Sequence, residues 1–319
     1  MLERLVKAPS GSFAALMYHR VDERAARPWL YPALLSATPS DFERQMQALV
    51  SHSQPMALND LLAAQRGESR LPARAVLLTF DDAYRDFAEN AWPVLKRLRI
   101  PVTLFVPTGY PDATGRAFWW DRLWQAVTQS TNGSQLQTAL GLMPMRNQDE
   151  RWWTARSLIE IHKRLPHEEA MGSVAALCEQ LGADAPSSEV LSWDELRALA
   201  ADGVDIAAHS RNHPLLTQVP SDEILEELAG SRTDLEARLP GQAHASVLAY
   251  PGGRYDERVT SALAELGFHL AFTTERGLNR VGHTDRFRLR RINAGTLADE
   301  HVVRAQLAMS TLRCRTFGR

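Results

Sequence analysis

Short runs of large apolar residues recur along the chain, and each run stops at a polar or turn-forming cluster. Continuous apolar runs, unlike runs that alternate with polar residues, are typical of strands buried on both faces of a parallel sheet. The pattern therefore predicts buried parallel strands, each followed by polar residues at its carboxyl end. The runs cover residues 13–18, 75–80, 101–106, 204–208, 246–250, 270–274 and 287–292.

Helical signals fill the intervals between these runs. Ser40 with Glu43, and Ser192 with Glu195, have the spacing of a capping box, which predicts a helix start at each serine. Leucines recur at helical spacing over 222–239, and the segment 257–266 ends at a glycine. In the helical pattern over 84–98, Pro93 either kinks the helix or opens its second half. Strands that alternate with helices form βα units, so we expect an α/β fold with a parallel sheet or barrel.

Residues from about 110 to 190 break this alternation. The stretch has no convincing buried strand but carries five of the eight tryptophans. The spacing of Trp120, Trp124 and Val127 predicts an amphipathic helix. We expect one domain over 1–319 with a helical, Trp-rich insertion at 110–190. Its aromatic residues form either a small core of their own or a platform that stacks on a sugar ring. The tryptophans are Trp119, Trp120, Trp124, Trp152 and Trp153.

Composition narrows the class of protein. The 319 residues include 36 Lys and Arg against 38 Asp and Glu, so the net charge is −2 and no basic stripe indicates a nucleic-acid partner. Two cysteines, Cys178 and Cys314, form neither a disulfide framework nor a thiolate zinc site. No segment has the roughly 18 apolar residues of a membrane span, and the start of the chain lacks the apolar core of an export signal. We therefore expect a cytoplasmic protein; the sequence does not indicate its oligomeric state.

Two adjacent carboxylates, Asp81 and Asp82, follow the apolar run 75–80. Adjacent acidic residues most often lie in a solvent-exposed turn and have no further role. At the mouth of a buried strand, however, their repulsion and lost hydration cost free energy unless a cation lies between them or one is protonated. Active sites of α/β folds concentrate at the carboxyl ends of parallel strands, so a functional role is the alternative.

Two further polar clusters follow later runs. His209 and His213, four positions apart, can face the same way, and with Asp82 they supply two imidazole nitrogens and one carboxylate for a divalent metal. A hydrogen-bonded histidine at a strand end is the ordinary structural alternative. The turn from Tyr250 to Arg254 contains Gly252, whose backbone can approach a ligand and donate its N–H, although Pro-Gly turns are usually only turns.

The order of these clusters resembles one family. T-F-D-D at 79–82, H-S-x-x-H at 209–213 and Y-P-x-G at 250–253 resemble the polysaccharide deacetylases, carbohydrate esterase family four. M-Y-H-R-V at 17–21 and L-x-R-I at 289–292 resemble further elements of that family, so that the likeness covers nearly the whole chain outside the insertion. The resemblance implies a deformed (β/α) barrel of about seven parallel strands. It also implies a metal-dependent hydrolase that removes N-acetyl groups from sugars of a polysaccharide, oligosaccharide or glycan precursor.

The resemblance also assigns roles to residues. Asp81 would be the general base, Asp82, His209 and His213 would hold the metal, and the Gly252 N–H would meet the oxyanion. The ion would polarise the N-acetyl carbonyl and activate a water. Zinc is the default for this donor set, with cobalt, nickel or manganese also acceptable.

The chain departs from the family pattern at three places. Ala83 stands where the first motif usually continues with Gly. The arginine that orients the base is either Arg254, which follows the Pro of the third motif, or Arg291 of the L-x-R-I element, and we assign Arg291 to the catalytic set. The late Leu-x-His element that supplies the general acid has no match, which leaves His19, His269 and His283 as histidines to consider. His19, Tyr250 and Arg254 are expected to contact the substrate.

The sequence leaves two other functions open. Two histidines and one carboxylate also form the facial triad of non-haem iron oxygenases, although those sit on an antiparallel β scaffold. A non-catalytic relative would bind carbohydrate or a protein through the Trp-rich insertion, with an affinity that survives loss of Asp81 and of the metal.

Overall fold

The computed structural model describes residues 9–113, 115–131, 133–183 and 189–294. Cys314 lies outside these residues. The chain divides into two compact units, one drawn from 1–22, 34–111 and 190–319, the other from 23–33 and 112–189. Within the described residues, no helix is both long and apolar enough to cross a bilayer.

The first unit alternates strands with helices, as the apolar runs predict. Its strands are β1 (Ser12–Tyr18), β2 (Arg20–Val21), β3 (Leu35–Ala37), β4 (Gln54–Met56), β5 (Ala75–Phe80), β6 (Thr103–Val106), β9 (Asp205–Ala208), β10 (Ala243–Ala249), β11 (Leu270–Phe272), β12 (Asn279–Arg280) and β13 (Ile292–Asn293). Its helices are α1 (Pro39–His52), α2 (Leu58–Gln65), α3 (Trp92–Leu98), α7 (Trp193–Ala201), α8 (Ser221–Arg238) and α9 (Glu257–Glu265).

The second unit, residues 23–33 and 112–189, is mostly helical. It contains α4 (Trp119–Gln129), the antiparallel hairpin of β7 (Gln135–Thr138) and β8 (Gly141–Pro144), α5 (Gln148–His162) and α6 (His167–Gln180). The sequence pattern did not predict the hairpin, because each of its strands buries one residue, Leu136 or Met143, instead of an apolar run. Trp120 and Trp124 are buried on α4 and form part of this unit's own core, whereas Trp153 is 58% exposed.

One nine-stranded sheet organises the first unit. Its order is β11-β10-β9-β6-β5-β1-β12, with β4 beside the first half of β5 and β13 beside β1. All pairs are parallel except that of β1 with β12. Every second residue of the strands points to a common interior, where Phe13, Leu77, Phe105 and Phe272 meet in the core.

The segment 289–294 bridges the two ends of the row of parallel strands. On one side Leu289 exchanges hydrogen bonds with Ala271 and Thr273 around β11. On the other side β13 pairs with Leu16 and Met17 of β1. The curled sheet and its last connecting segment confirm the expected deformed barrel.

The structure confirms one of the two predicted capping boxes and contradicts the other. The capping box of Ser192 and Glu195 is present at the start of α7. The box expected at Ser40 and Glu43 is wrong, since Thr38 caps α1 by accepting the Asp41 N–H and Pro39 occupies the first turn. Pro93 lies in the first turn of α3, directly after a π-helical segment at Phe87–Ala91, so it opens the second half of the helical stretch predicted over 84–98.

Candidate metal centre and active site

The acid pair lies where β5 ends. Asp81 and Asp82 are both 2% exposed, and the Asp81 N–H donates to the Tyr18 carbonyl at the end of β1. Asp82 and Ala83 adopt left-handed backbone, with φ of 73° and 54°. This conformation costs a non-glycine residue about 1–2 kcal/mol, so the surrounding structure holds the turn that aims the two carboxylates. Ala83, at the position where the first motif usually continues with Gly, thus has a positive φ.

The histidine pair lies where β9 ends. The loop 209–213 turns tightly, with Ser210 and His213 both at φ 58°, and the Ser210 Oγ accepts the His213 N–H at 3.1 Å. The His209 Nδ1 lies 2.8 Å from the Ala249 carbonyl oxygen of β10. Because a carbonyl only accepts, Nδ1 carries a proton, and in the neutral ring Nε2 then keeps its lone pair. That tautomer is the one a metal requires.

Three potential ligand atoms converge in this cleft. The Nε2 atoms of His209 and His213 lie 3.2 Å apart, and both face Asp82 Oδ1, at 3.4 and 3.3 Å. All three residues are buried, and no donor among the described residues meets hydrogen-bond geometry with Asp82 Oδ1. Atoms that share one tetrahedral ion at about 2.0–2.2 Å lie roughly 3.3–3.6 Å apart. The cluster therefore fits a divalent cation of that size.

The electrostatics of Asp82 agree with a ligand role. Burial raises the pKa of its carboxyl, but the two facing histidines outweigh burial and hold the pKa well below its usual range. The carboxylate is thus ionised, as metal coordination requires.

Asp81 is held by a buried arginine. The Arg291 guanidinium donates to both oxygens of Asp81, each at 2.7 Å, and its Nε donates to the Thr273 carbonyl at 2.9 Å. Burial raises the pKa of Asp81, but the charge of Arg291, followed by that of His209, outweighs it and lowers the pKa below its usual value. Of the two arginines considered from the sequence, Arg291 is the one the fold brings to Asp81.

Among the histidines considered as a proton donor, only His19 lies at the carboxyl ends of the strands. It follows β1, its Nε2 lies 4.0 Å from Asp81 Oδ2, and its side chain is 18% exposed. His269 precedes β11 and pairs with Ser246, while His283 follows β12, which pairs with the start of β1. Both therefore lie at the opposite edge of the sheet. Burial lowers the pKa of His19, and the neighbouring carboxylates of Asp82 and Asp81 offset part of that effect.

The third motif forms a tight turn after β10. Gly252 has φ 61°, and a Cβ there would lie 2.6 Å from Leu215 Cδ2, so glycine lets this turn pack against the segment that follows His213. The Tyr250 ring is fully buried and its hydroxyl donates to the Phe287 carbonyl, which places this side chain in the core and not in the opening. Arg254 lines a groove of about 580 Å³ together with Thr217, Tyr255, Asp256, Glu275 and Arg288.

One buried acid near the histidines had no counterpart in the sequence analysis. Glu227 lies on α8, is 4% exposed and accepts hydrogen bonds from the 209–213 loop. Its position between Ile224 and Leu228, on the buried face of the helix, is the signal that was available. A charged residue on an apolar stripe is rarely fully buried unless it has partners.

Comparisons with known proteins agree with the motifs. The Escherichia coli (strain K12) poly-beta-1,6-N-acetyl-D-glucosamine N-deacetylase is 31% identical over 102 residues, which is 32% of this chain and 14% of that protein. The protein of the same name from Staphylococcus aureus (strain MSSA476) is 37% identical over 76 residues, 24% of this chain and 26% of that protein. The matched segments thus span about a quarter or less of these relatives.

Solved structures share the fold along most of the chain. The Streptococcus pyogenes deacetylase PplD in complex with acetate has a TM-score of 0.61 at 20% identity, over 93% of this chain and 98% of that one. IcaB from Ammonifex degensii has a TM-score of 0.61 at 18% identity, over 93% and 97%. The polysaccharide deacetylase family profile matches residues 68–271, well over half of the sequence. The resemblance seen in the motifs is therefore confirmed, and the chain belongs to the polysaccharide deacetylase family.

Proposed function

We propose that this protein is a metal-dependent deacetylase that hydrolyses the N-acetyl groups of sugars in a polysaccharide, oligosaccharide or glycan precursor. The observation that carries the proposal is the convergence of Asp82, His209 and His213 within 3.4 Å of one another, beside an Asp81 held by Arg291. The names of the matched relatives support poly-N-acetylglucosamine as the class of substrate.

The donor set favours a zinc ion, with cobalt, nickel or manganese as alternatives. Two imidazole nitrogens and one carboxylate form a common catalytic zinc site, in which other positions stay open to water and substrate. When bound, the cation would act as a Lewis acid on the acetyl carbonyl and lower the pKa of a water.

Asp81 is the proposed general base. Its low pKa keeps the carboxylate ionised at neutral pH, so that it can accept a proton from the attacking water. Arg291 fixes both carboxylate oxygens, which limits the orientations that Asp81 can adopt. The water oxygen forms a bond to the acetyl carbon, and the carbon–nitrogen bond then breaks to leave acetate and a free amine.

The leaving amine needs a proton, and His19 is proposed to relay to it the proton that Asp81 takes from the water, since the lowered pKa of His19 leaves its imidazole neutral near pH 7 and able to accept a proton. It is the partly exposed histidine beside Asp81, on the edge of the barrel that carries the metal cluster. The backbone N–H of Gly252 is proposed to donate to the oxygen of the tetrahedral intermediate, since the turn reaches this edge from the end of β10. Both roles are proposals from position.

The groove beside Gly253 supports a substrate longer than one sugar. Arg254 and Arg288 with Asp256 and Glu275 offer charged and planar groups of the kind that hydrogen-bond sugar hydroxyls. The expected cytoplasmic location stays a prediction.

Metal analysis together with an acetate-release assay tests the proposal. The purified chain is loaded with zinc, and its metal content is measured beside acetate release from chito-oligosaccharides and poly-β-1,6-N-acetylglucosamine. We expect about one metal ion per chain and acetate as a product; His209→Ala should lose both, because it removes one of three ligands. Oxygen consumption without acetate, measured on a parallel preparation loaded with ferrous iron, would instead indicate an oxygenase. Glycan affinity that survives removal of the metal, without acetate, would indicate a binding protein.

A further inference from the structure

The loop that carries both histidines is held by an acid on the neighbouring helix. Glu227 of α8 accepts the Arg211 N–H at 3.0 Å and the Asn212 N–H at 2.7 Å on one carboxyl oxygen, Oε2. Its other oxygen, Oε1, accepts the side-chain amide of Asn212. One side chain therefore binds the two residues at the centre of the loop.

The loop needs such support because its backbone is strained on both sides of that centre. Ser210 and His213 have φ 58°, a conformation that costs a non-glycine residue about 1–2 kcal/mol. Strained positions persist only where the surrounding structure holds them. The Ser210 hydroxyl holds the second one, by accepting the His213 N–H, and Glu227 holds the segment between them.

Two other contacts reach the same loop from its flanks. The Thr108 N–H donates to the Ser210 carbonyl and the Gly109 N–H to the Arg211 carbonyl, at 3.2 and 2.8 Å. Asp234, two helical turns beyond Glu227, pairs with the Arg211 side chain. That side chain is 48% exposed, so its ion pair contributes less than a buried hydrogen bond to the backbone.

We propose that Glu227 is a positioning residue: it holds the 209–213 loop in the geometry in which His209 and His213 bind one metal ion. This inference rests on the proposed function, since it takes both histidines as ligands. Residues that orient metal ligands typically change metal affinity about 10–100-fold when they are replaced.

Two conservative variants of Glu227 separate the effect of its side-chain length from the effect of its charge. Glu227→Asp keeps the carboxylate but withdraws it from the loop by one methylene, so it should weaken zinc binding about 10–100-fold. Glu227→Gln keeps an oxygen that can accept both backbone N–H groups, while the Asn212 amide can turn to accept from the new amide nitrogen. The glutamine variant should therefore bind zinc within about threefold of the unchanged chain, a loss well below that typical range.

Competition with a chromophoric chelator measures the affinity, and the visible spectrum of the cobalt-loaded chain reports the ligand geometry. The aspartate variant should alter the cobalt spectrum, which a general loss of stability would not do. Glu236→Gln and Glu236→Asp are matched controls, because Glu236 lies on the same helix and pairs with Arg232 on its surface. Both controls should bind zinc and cobalt like the unchanged chain.

The inference is overturned if Glu227→Asp binds zinc with unchanged affinity and an unchanged cobalt spectrum. It is also overturned if the glutamine variant loses as much affinity as the aspartate variant, because an accepting oxygen would then not be what holds the loop. If the unchanged chain and the Glu236 variants bind no metal, the proposed function fails, and this inference fails with it.

Discussion

At the scale of single residues, backbone strain is concentrated around the proposed metal centre. Of the seven described non-glycine residues with positive φ, four lie at the site: Asp82, Ala83, Ser210 and His213. Each of these backbone conformations costs roughly 1–2 kcal/mol, so the rest of the fold must offset that cost to hold these side chains in position. The two neighbouring acids also differ in their contacts, because Asp82 faces the histidines whereas Asp81 faces an arginine.

Replacing Asp81 tests whether Asp81 acts as the base while Asp82 acts as a metal ligand. Asp81→Asn should leave metal content unchanged while acetate release falls by about 10²–10⁴-fold, since the amide cannot accept the proton of the water. Metal analysis and an acetate assay on the same preparation check both halves. The asparagine still offers Arg291 one accepting oxygen, and circular dichroism verifies that the fold is kept. Loss of the metal in this variant would contradict the assignment.

A second buried acid, Asp86, predicts a pH dependence of stability. Burial raises its pKa from 3.8 to about 6, although Arg20 donates to it at 2.7 Å. Because the folded pKa is the higher one, the stabilisation from protonating Asp86 is complete below pH 4 and is lost as the pH rises through 6. The free energy of unfolding should therefore fall by roughly 3 kcal/mol across that window on account of this group.

Asp86→Asn should remove that part of the pH dependence. Urea unfolding of both metal-free proteins between pH 4 and 8 measures it, with chelator present so that metal release does not contribute. The difference in unfolding free energy between the two proteins should shift in favour of the variant as the pH rises. Parallel curves would contradict the raised pKa.

At the scale of elements, the proposed metal ligands, base and proton donor follow the carboxyl ends of strands, whereas Arg291 directly precedes β13. His19 follows β1, the acid pair follows β5, and His209 follows β9. The parallel arrangement brings these ends to one edge of the barrel, which is why residues far apart in sequence meet. Contacts between adjacent strand ends also orient the side chains. The carbonyl of Ala249 in β10, for example, accepts a hydrogen bond from His209 Nδ1 and so orients that ring.

The turn after β10 gives a prediction at this scale. Gly252→Ala adds a methyl group 2.6 Å from Leu215 at a φ of 61°, so it should lower the free energy of unfolding by about 2–3 kcal/mol and weaken metal binding through the loop after His213. Gly241→Ala is the matched control, with φ 70° but no atom within 4 Å. The control should lose only the conformational part, about 1–2 kcal/mol, and should keep its metal affinity. Equal losses of unfolding free energy in both variants would contradict a cost from the contact with Leu215, and equal metal affinity would contradict its effect on the loop.

Much of the barrel is readable from the sequence, and the reason is the chemistry of buried parallel strands. Strands with continuous apolar runs, such as β1 and β5, were predicted because burial on both faces leaves an unbroken pattern. Short strands such as β4 and β12 were not, because two or three residues carry no period. The cap of α1 was misplaced since Thr38 and Ser40 are both good caps, and only the position of Pro39 in the first turn decides between them.

The candidate site likewise contains residues that could be predicted from the sequence and residues that could not. Asp82, His209 and His213 could be grouped because strand ends meet at one edge. The L-x-R-I element made Arg291 a candidate beside Arg254, but its pairing with Asp81 depends on how residues 289–294 dock against a strand end 210 positions earlier in the chain. Glu227 was overlooked because its role depends on hydrogen bonds to backbone groups, which leave no side-chain motif.

At the scale of the whole molecule, the bound metal should act as a stabilising ligand. Three buried residues from two strand ends share it in the proposed site, so the folded chain binds the ion far better than the unfolded chain does. At a free zinc concentration 100 times the dissociation constant, binding adds about 2.7 kcal/mol to the free energy of unfolding.

Thermal unfolding with and without zinc measures this effect. Chelation should lower the Tm by several degrees, and zinc should restore it. His209→Ala supplies the control, because its Tm should not respond to zinc at the same concentration. A Tm that is identical in chelator and in zinc for the unchanged chain would contradict a metal site in the folded protein.

The bridge formed by residues 289–294 has a consequence for how the protein matures during synthesis. Asp81 leaves the ribosome 210 residues ahead of Arg291, and an ionised acid at the core of a half-built barrel is unfavourable without its counter-charge. Docking of the late segment supplies that charge, and the same segment bridges β11 and β1. A nascent chain should therefore gain its protease resistance and its catalytic competence together, after the segment carrying Arg291 has emerged.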